Sequence, residues 1–170
     1  MSTLLFREAL AKDAKDVLNI VNQAYRTEGG WTTESHLVVG DRLVEKDYLA
    51  GLAEENRQIL LALENQQVVG CIEIQIEGVH AHLGMLAVLP DKQNQGIASQ
   101  LLSQAETLAK QTYQAKEAVM LVLDVREELL QYYYRKGYKR ADEYVPFPMH
   151  LNVGKPINQN LMFEKIIKPL

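Results

Sequence analysis

The stretch Val88-Leu89-Pro90-Asp91-Lys92-Gln93-Asn94-Gln95-Gly96-Ile97-Ala98 decides how the rest of the chain reads. An apolar run enters it and stops at Pro90, which offers no N–H to a strand ladder. A polar turn follows, and Gly96 opens the most regular helical pattern in the sequence. Ile97, Leu101, Leu102, Ala105, Leu108 and Ala109 share one face, with Gln100, Ser103, Gln104 and Lys110 opposite. Strand, polar turn and helix therefore follow without a break. Small residues at 96 and 98 let a ligand approach the backbone closely. The unpaired N–H groups of a first helical turn, with their partial positive charge, suit phosphate oxygens. Lys and Ser or Thr do not follow the glycine, so this is no nucleotide P-loop. Three spaced glycines are absent too, which excludes a dinucleotide fingerprint.

Upstream of this junction the texture is that of an antiparallel meander. Ile59 to Leu63 is apolar, Asn65-Gln66-Gln67 is a turn, and in Val68 to Ile76 the residues Ile72, Ile74 and Ile76 alternate against Glu73, Gln75 and Glu77. Gly78 marks the next turn and Ala81 to Leu89 the third strand. Nearer the start, Leu4 to Leu10 reads as a strand. Asp13 reads as an N-cap with Asp16 in the first turn. The following helix shows Val17, Ile20, Val21 and Ala24 at helical spacing and ends before Gly29-Gly30. Thr27 to Gly40 is read as loop and Asp41 to Leu52 as a second helix.

Downstream, Ala118 to Leu123 (AVMLVL) is apolar without alternation, as a strand covered on both faces would be. A helix of about nine residues from Arg126 ends at Gly137, the C′ position. Tyr138 to Val145 is a strand, Pro146 to Pro156 a loop, and Leu161 to Ile167 a last strand. The order β-α-α-β-β-β-α-β-α-β-β describes one mixed α/β domain over 1–170.

Composition bounds the partners. Hydrophobic residues make up 47% and charged residues 24%, ordinary for a globular chain, and the formal net charge is −4. That balance argues against nucleic acid as the main partner, since phosphate neutralisation favours a basic surface. Cys71 is the single cysteine, so no intrachain disulfide forms. It sits in an apolar strand and reads as a small core residue. His36, His80, His82 and His150 make no ligand cluster, and no metal is expected. No stretch nears the roughly 18 apolar residues of a membrane span, and the N-terminus has no signal-peptide run. A cytoplasmic setting with no membrane partner is the expectation.

The residues Gln93-Asn94-Gln95-Gly96-Ile97-Ala98 resemble the Q/R-x-x-G-x-G/A signature of the GNAT superfamily of N-acetyltransferases. The preceding LGMLAVLP resembles that family's acyl-carrying strand, and YYYRKGY resembles its Y-E-K-x-G-F helix end. The three segments stand in the family's order and spacing, and the element order matches along nearly the whole chain. The resemblance implies a mixed central sheet of about seven strands with about four helices, two central strands splayed around a pantetheine arm. The activity it implies is acetyl transfer from acetyl-coenzyme A to a primary amine of a small molecule or peptide, by direct attack in a ternary complex. A non-catalytic acyl-coenzyme A sensor and a transferase of longer acyl groups stay open beside it. A homodimer stays open as well.

By the same resemblance, Leu86, Ala87 and Val88 contact pantetheine and the acetyl carbonyl through their backbones. Gln93, Asn94, Gln95, Gly96, Ile97 and Ala98 contact the pyrophosphate. An N–H near Val88 would hold the developing oxyanion. Amine acetylation also needs a proton acceptor, because alkyl ammonium groups have a pKa near 10, and the departing thiolate gains from a donor. Among Tyr132, Tyr133, Tyr134 and Tyr138, only Tyr133 lies four residues before Gly137, where the family carries its tyrosine; it is the candidate acid. Seven residues before it, where the family often has Asn, this chain has Arg126. His82, six residues before Val88, is the leading candidate base, with Glu34 and Glu73 as rivals. The loop residues Trp31, Thr32, Thr33 and Glu34 are read as an amine pocket with an aromatic wall and an acid.

Overall fold

The computed structural model describes residues 3–27, 33–151, 153–158 and 160–170. Along the chain run β1 (Leu4–Glu8), α1 (Ala14–Arg26), β2 (Val38–Val39), α2 (Glu45–Leu52), β3 (Arg57–Glu64), β4 (Gln67–Glu77) and β5 (His80–Val88). There follow α3 (Ile97–Tyr113), β6 (Glu117–Leu123), α4 (Glu127–Arg135), β7 (Lys139–Pro146), β8 (Lys155–Pro156) and β9 (Met162–Pro169). Seven strands form one sheet in the order β1-β3-β4-β5-β6-β9-β7, and β2 and β8 pair as a separate ribbon. Every neighbour pair in the large sheet is antiparallel except β5 with β6.

The alternation read in β4 sorts its residues between two layers. Ile72 and Ile74 pack with Leu101, Leu102 and Ala105 of α3, on the face that also takes Leu130 and Tyr133 of α4. Cys71 points the other way, into Val17, Ile20 and Val21 of α1. Helices α3 and α1 thus cover opposite faces of β4, whereas β6 buries Ala118, Met120 and Val122 in the α3 layer and leaves Leu121 exposed on the other face. Gly70 marks the closest approach of α3: a Cβ there would lie 2.9 Å from Leu101 Cδ1 and 3.0 Å from the Ala87 carbonyl oxygen.

Several boundaries differ from the sequence reading. The first strand ends at Glu8, because Asp13 reaches back: its Oδ2 accepts the Leu10 N–H at 2.8 Å and its two oxygens take both Nη groups of Arg7. Asp13 stands at the N-cap position of α1 yet caps nothing there with its side chain. The second helix starts at Glu45, since the N–H groups of Arg42 and Leu43 are drawn to Asn22 Oδ1 on α1 at 2.8 and 3.1 Å. The two segments read as loops meet as a ribbon, Val38 opposite Pro156 and Val39 opposite Lys155. Strands that short carry no period to read.

One irregularity shapes the centre of the molecule. Cys71 pairs with Ala87 and Glu73 with Gly84, so Met85 and Leu86 together oppose Ile72. Met85 takes φ +49° at this bulge, and such an extra residue bends its strand. Pairing of β5 with β6 covers His80, Ala81 and His82 opposite Glu117, Ala118 and Val119, and goes no further. Beyond that rung the two strands part, while β9 keeps the other edge of β6 paired from Glu117 to Leu123. The sheet therefore contains a wedge whose mouth lies at Val88.

Candidate active site

The wedge leaves backbone groups of β5 facing open space. Leu89 donates its N–H to the Val69 carbonyl on β4 at 3.0 Å. Alternate residues of a regular strand turn their amides to the same side, so Ala87 also faces β4 and the amide of Val88 faces the wedge. The Val88 carbonyl agrees, accepting the side-chain amide of Gln93 at 3.2 Å. Gly96 follows at the N-cap of α3 with φ +80°, a left-handed conformation that suits glycine, and Asn94 takes φ +62° just before it.

A cavity of about 570 Å³ fills the wedge mouth. Leu86, Ala87 and Val88 form its floor; Gln93, Asn94, Gly96, Ile97 and Ala98 form one wall; and Tyr132 and Tyr133 of α4 form the other. Eight of the nine residues expected at the coenzyme therefore lie together. Gln95 turns its amide towards the Asp91 carbonyl and does not line the space. Lys92, Arg135 and Lys136 add three cations to the rim. Lys92 pairs with Glu64, and Lys136 Nζ donates to Ser99 Oγ at 2.6 Å. The sequence held a visible sign of the last two in the Arg135-Lys136 pair just before the helix-ending glycine.

A second cavity, of about 350 Å³, opens on the far side of the wedge. Tyr25, Leu86, Arg126, Leu129 and Tyr133 line both spaces and form the junction between them. Tyr133 is 3% exposed, and its ring meets Tyr132 and Tyr138 edge-on at 5.4 and 5.9 Å between centroids. Its carbonyl accepts the N–H groups of Lys136 and Tyr138, the first at 2.9 Å and the second at 3.1 Å, which seat the residue at the end of α4. No described residue hydrogen-bonds its hydroxyl. Burial holds this phenol well above its ordinary pKa, so it stays protonated. Tyr25 is raised by the same cause.

His82 and Glu73, two of the candidate bases, line the second chamber. His82 stands at the last paired rung of β5, with Nε2 3.3 Å from Glu77 Oε2. Four residues of strand separate it from Leu86, about 13 Å, so any proton it takes from the junction passes through water. Glu73 stands opposite Gly84, closer to the junction, but its Oε2 accepts both Nε and Nη2 of Arg57 at 3.0 and 2.7 Å. Glu34 is buried between two guanidiniums, with Arg26 Nη1 on Oε2 and Arg126 Nη1 on Oε1 at 3.0 Å. Both oxygens are engaged, and this carboxylate ties the loop before α2 to the start of α4. Trp31 and Thr32 lie outside the described residues. Thr33 donates its hydroxyl to the Tyr25 carbonyl at 3.1 Å, a contact that holds the loop on α1.

Arg126, found where an asparagine is common, thus stands at the junction with its guanidinium carbon 5.9 Å from the Tyr25 ring centre. Tyr25 and Arg42 escaped the sequence reading: a tyrosine near a helix end and an arginine in an aperiodic segment carry no local signal. Cys71 is fully buried, its thiol pushed up to about 12 by desolvation, and stays in the core as expected.

The acetyltransferase (GNAT) domain profile matches residues 31–147. The chain belongs to this acetyltransferase family. An aminoalkylphosphonate N-acetyltransferase of Salmonella typhimurium is 34% identical to this GNAT chain over 102 residues, an alignment covering 55% of this chain and 64% of that protein. Among solved structures, the PaiA N-acetyltransferase of Thermoplasma acidophilum in complex with coenzyme A superposes with a TM-score of 0.76 at 16% identity, covering 99% of both chains. The ribosomal-protein-S18-alanine N-acetyltransferase of Escherichia coli gives 0.72 at 15% identity, over 98% of this chain and 94% of that one. At such identities the likeness establishes that the GNAT fold is shared. The splayed β5–β6 pair and the turn into α3 frame the first cavity of that fold here.

Proposed function

We propose that this protein transfers an acetyl group from acetyl-coenzyme A to a primary amine of a small molecule or peptide, by direct attack in a ternary complex. The observation that carries the reading is Tyr133 at the junction of two chambers that enter the wedge from opposite sides. One chamber suits a long, phosphorylated thioester. Its floor offers the outward-facing amide of Val88 to pantetheine, and its turn offers a left-handed glycine, a helix N-terminus and three rim cations to phosphates. The other chamber suits the amine. The residues present fit coenzyme A on the donor set alone, and the relatives named above act on amines by their own names.

In this arrangement the amine reaches the acetyl carbon from the second chamber. The N–H of Val88 stabilises the negative charge developing on the carbonyl oxygen in a water-poor site. The amine sheds a proton through water towards His82 or Glu73. The thiolate leaves towards Tyr133. A phenol is a weaker acid than a free thiol and burial weakens this one further, so its first contribution is a hydrogen bond to the developing thiolate, with the proton following as charge builds. A pure sensor of acyl-coenzyme A would need neither the second chamber nor a protonated donor at the junction. Thiol release from acetyl-coenzyme A, followed across a panel of primary amines, tests the reading; saturable release with one amine class is the expected result. Absence of release with every amine, despite coenzyme binding, would refute it.

A further inference from the structure

Three guanidiniums and three carboxylates line the second chamber, and they do not all pair with one another. Arg26, Arg42 and Arg126 line it together with Glu34, Glu73 and Glu77. Each of those carboxylates already has a cationic or histidine partner: Glu34 lies between Arg26 and Arg126, Glu73 takes Arg57, and Glu77 faces His82. Arg42 is different again. It is half-buried, and its guanidinium meets no carboxylate and no hydrogen-bond acceptor among the described residues. Its carbon lies 5.6 Å from the centre of the Tyr25 ring, a cation–π contact that fixes where the fork points without using its N–H groups. The backbone beneath it is pinned, since the Arg42 N–H donates to Asn22 Oδ1 at 2.8 Å.

We infer that Arg42 reads an oxyanion on the acceptor, so that the amine acetylated here is a compact one carrying a carboxylate or a phosphonate. The inference rests on the second chamber being the amine's chamber. Tyr25 lines both cavities, so a group held by Arg42 sits one aromatic ring from the junction where acetyl transfer takes place. A cavity of about 350 Å³ accommodates a small zwitterion. A planar guanidinium with free N–H groups matches the paired oxygens of a carboxylate or phosphonate, whereas an uncharged alkyl amine would leave it unanswered. Arg42 therefore acts as a specificity-determining residue, through the acceptor's anion.

The test compares 2-aminoethylphosphonate, β-alanine and propylamine as acceptors. Binding is read by calorimetry on the whole chain saturated with coenzyme A, and turnover by thiol release from acetyl-coenzyme A. The wild-type protein is expected to bind at least one of the anionic amines about 10-fold to 10²-fold more tightly than propylamine, the size of one charge-assisted pair. Arg42→Gln should erase that preference while leaving coenzyme affinity in place, and Arg42→Lys should restore part of it as a point charge. The ranking of phosphonate against carboxylate identifies which oxyanion is meant. Propylamine binding within about threefold of both anionic amines, or no anionic amine binding below about 10 mM, would overturn the assignment in the wild-type protein alone. A preference that survives Arg42→Gln would overturn it too. Anion-selective binding without thiol release would instead refute the transferase reading and leave Arg42 as the anion site. Thiol release indifferent to the anion would do the reverse.

Discussion

Replacing Tyr133 with phenylalanine separates chemistry from binding and from folding. The ring is 3% exposed and packed edge-on between Tyr132 and Tyr138, contacts that phenylalanine keeps. The hydroxyl has no hydrogen bond to a described residue, so its removal strands no protein partner, and stability should change by less than about 1 kcal/mol. Coenzyme affinity should hold as well, because the polar contacts available to phosphates come from Gln93 to Ala98 and from the rim cations. Turnover is expected to fall about 10-fold to 10³-fold, equivalent to about 1.4 to 4 kcal/mol of transition-state stabilisation. The assay is thiol release at saturating amine and acetyl-coenzyme A, beside a urea titration and a coenzyme-induced melting shift. Tyr134→Phe is the matched control: its hydroxyl donates to Glu164 Oε1 at 3.1 Å and accepts from Arg140 Nε at 2.9 Å, outside both chambers. That variant should cost about 1 kcal/mol of stability and spare kcat. A Tyr133→Phe protein within about twofold of wild-type turnover would show that water or another group serves the thiolate.

Gly96→Glu puts a side chain on a left-handed N-cap and a negative charge where phosphates would sit, so the melting shift produced by coenzyme A should vanish; an unchanged shift would move the phosphate site elsewhere. Glu34→Gln leaves Arg26 and Arg126 buried without their shared carboxylate and should destabilise the protein by about 3 kcal/mol or more in urea titrations; a loss of turnover with no loss of stability would make Glu34 a participant in the chemistry instead. Asp13 has its pKa lowered, chiefly by the hydrogen bond from Arg7, so its contribution to stability is full above its ordinary value of 3.8 and fades as pH falls towards the folded-state value. Asp13→Asn should therefore lower the melting temperature at pH 7 and matter progressively less below about pH 4, and an equal loss at both pH values would refute the linkage. His82→Ala should lower kcat about 10-fold or more if proton relay runs towards it rather than to Glu73, with Glu73→Gln as the opposed test; two silent variants would leave water as the acceptor.

The local devices of this protein were written in its sequence. Pro90 and Gly96 punctuate a strand, turn and helix, the 2-residue alternation of β4 predicts which side chains meet α3 and which meet α1, and Gly137 marks the end of α4. These features depend on steric rules and periodicities that act over a few residues, so they survive without tertiary context. What joined them did not. The parting of β5 from β6 begins past the rung at His82, where β5 carries a bulge at Met85 that has no compositional mark. The ribbon of β2 with β8 needs partners over a hundred residues apart in a chain that gives each of them two residues. Glu34 read as a free acid, yet folding set it between Arg26 and Arg126, drawn from a helix 8 residues back and a turn 92 residues on. Burial and charge pairing are properties of a place in the fold, and the sequence alone states only which groups are available to occupy it.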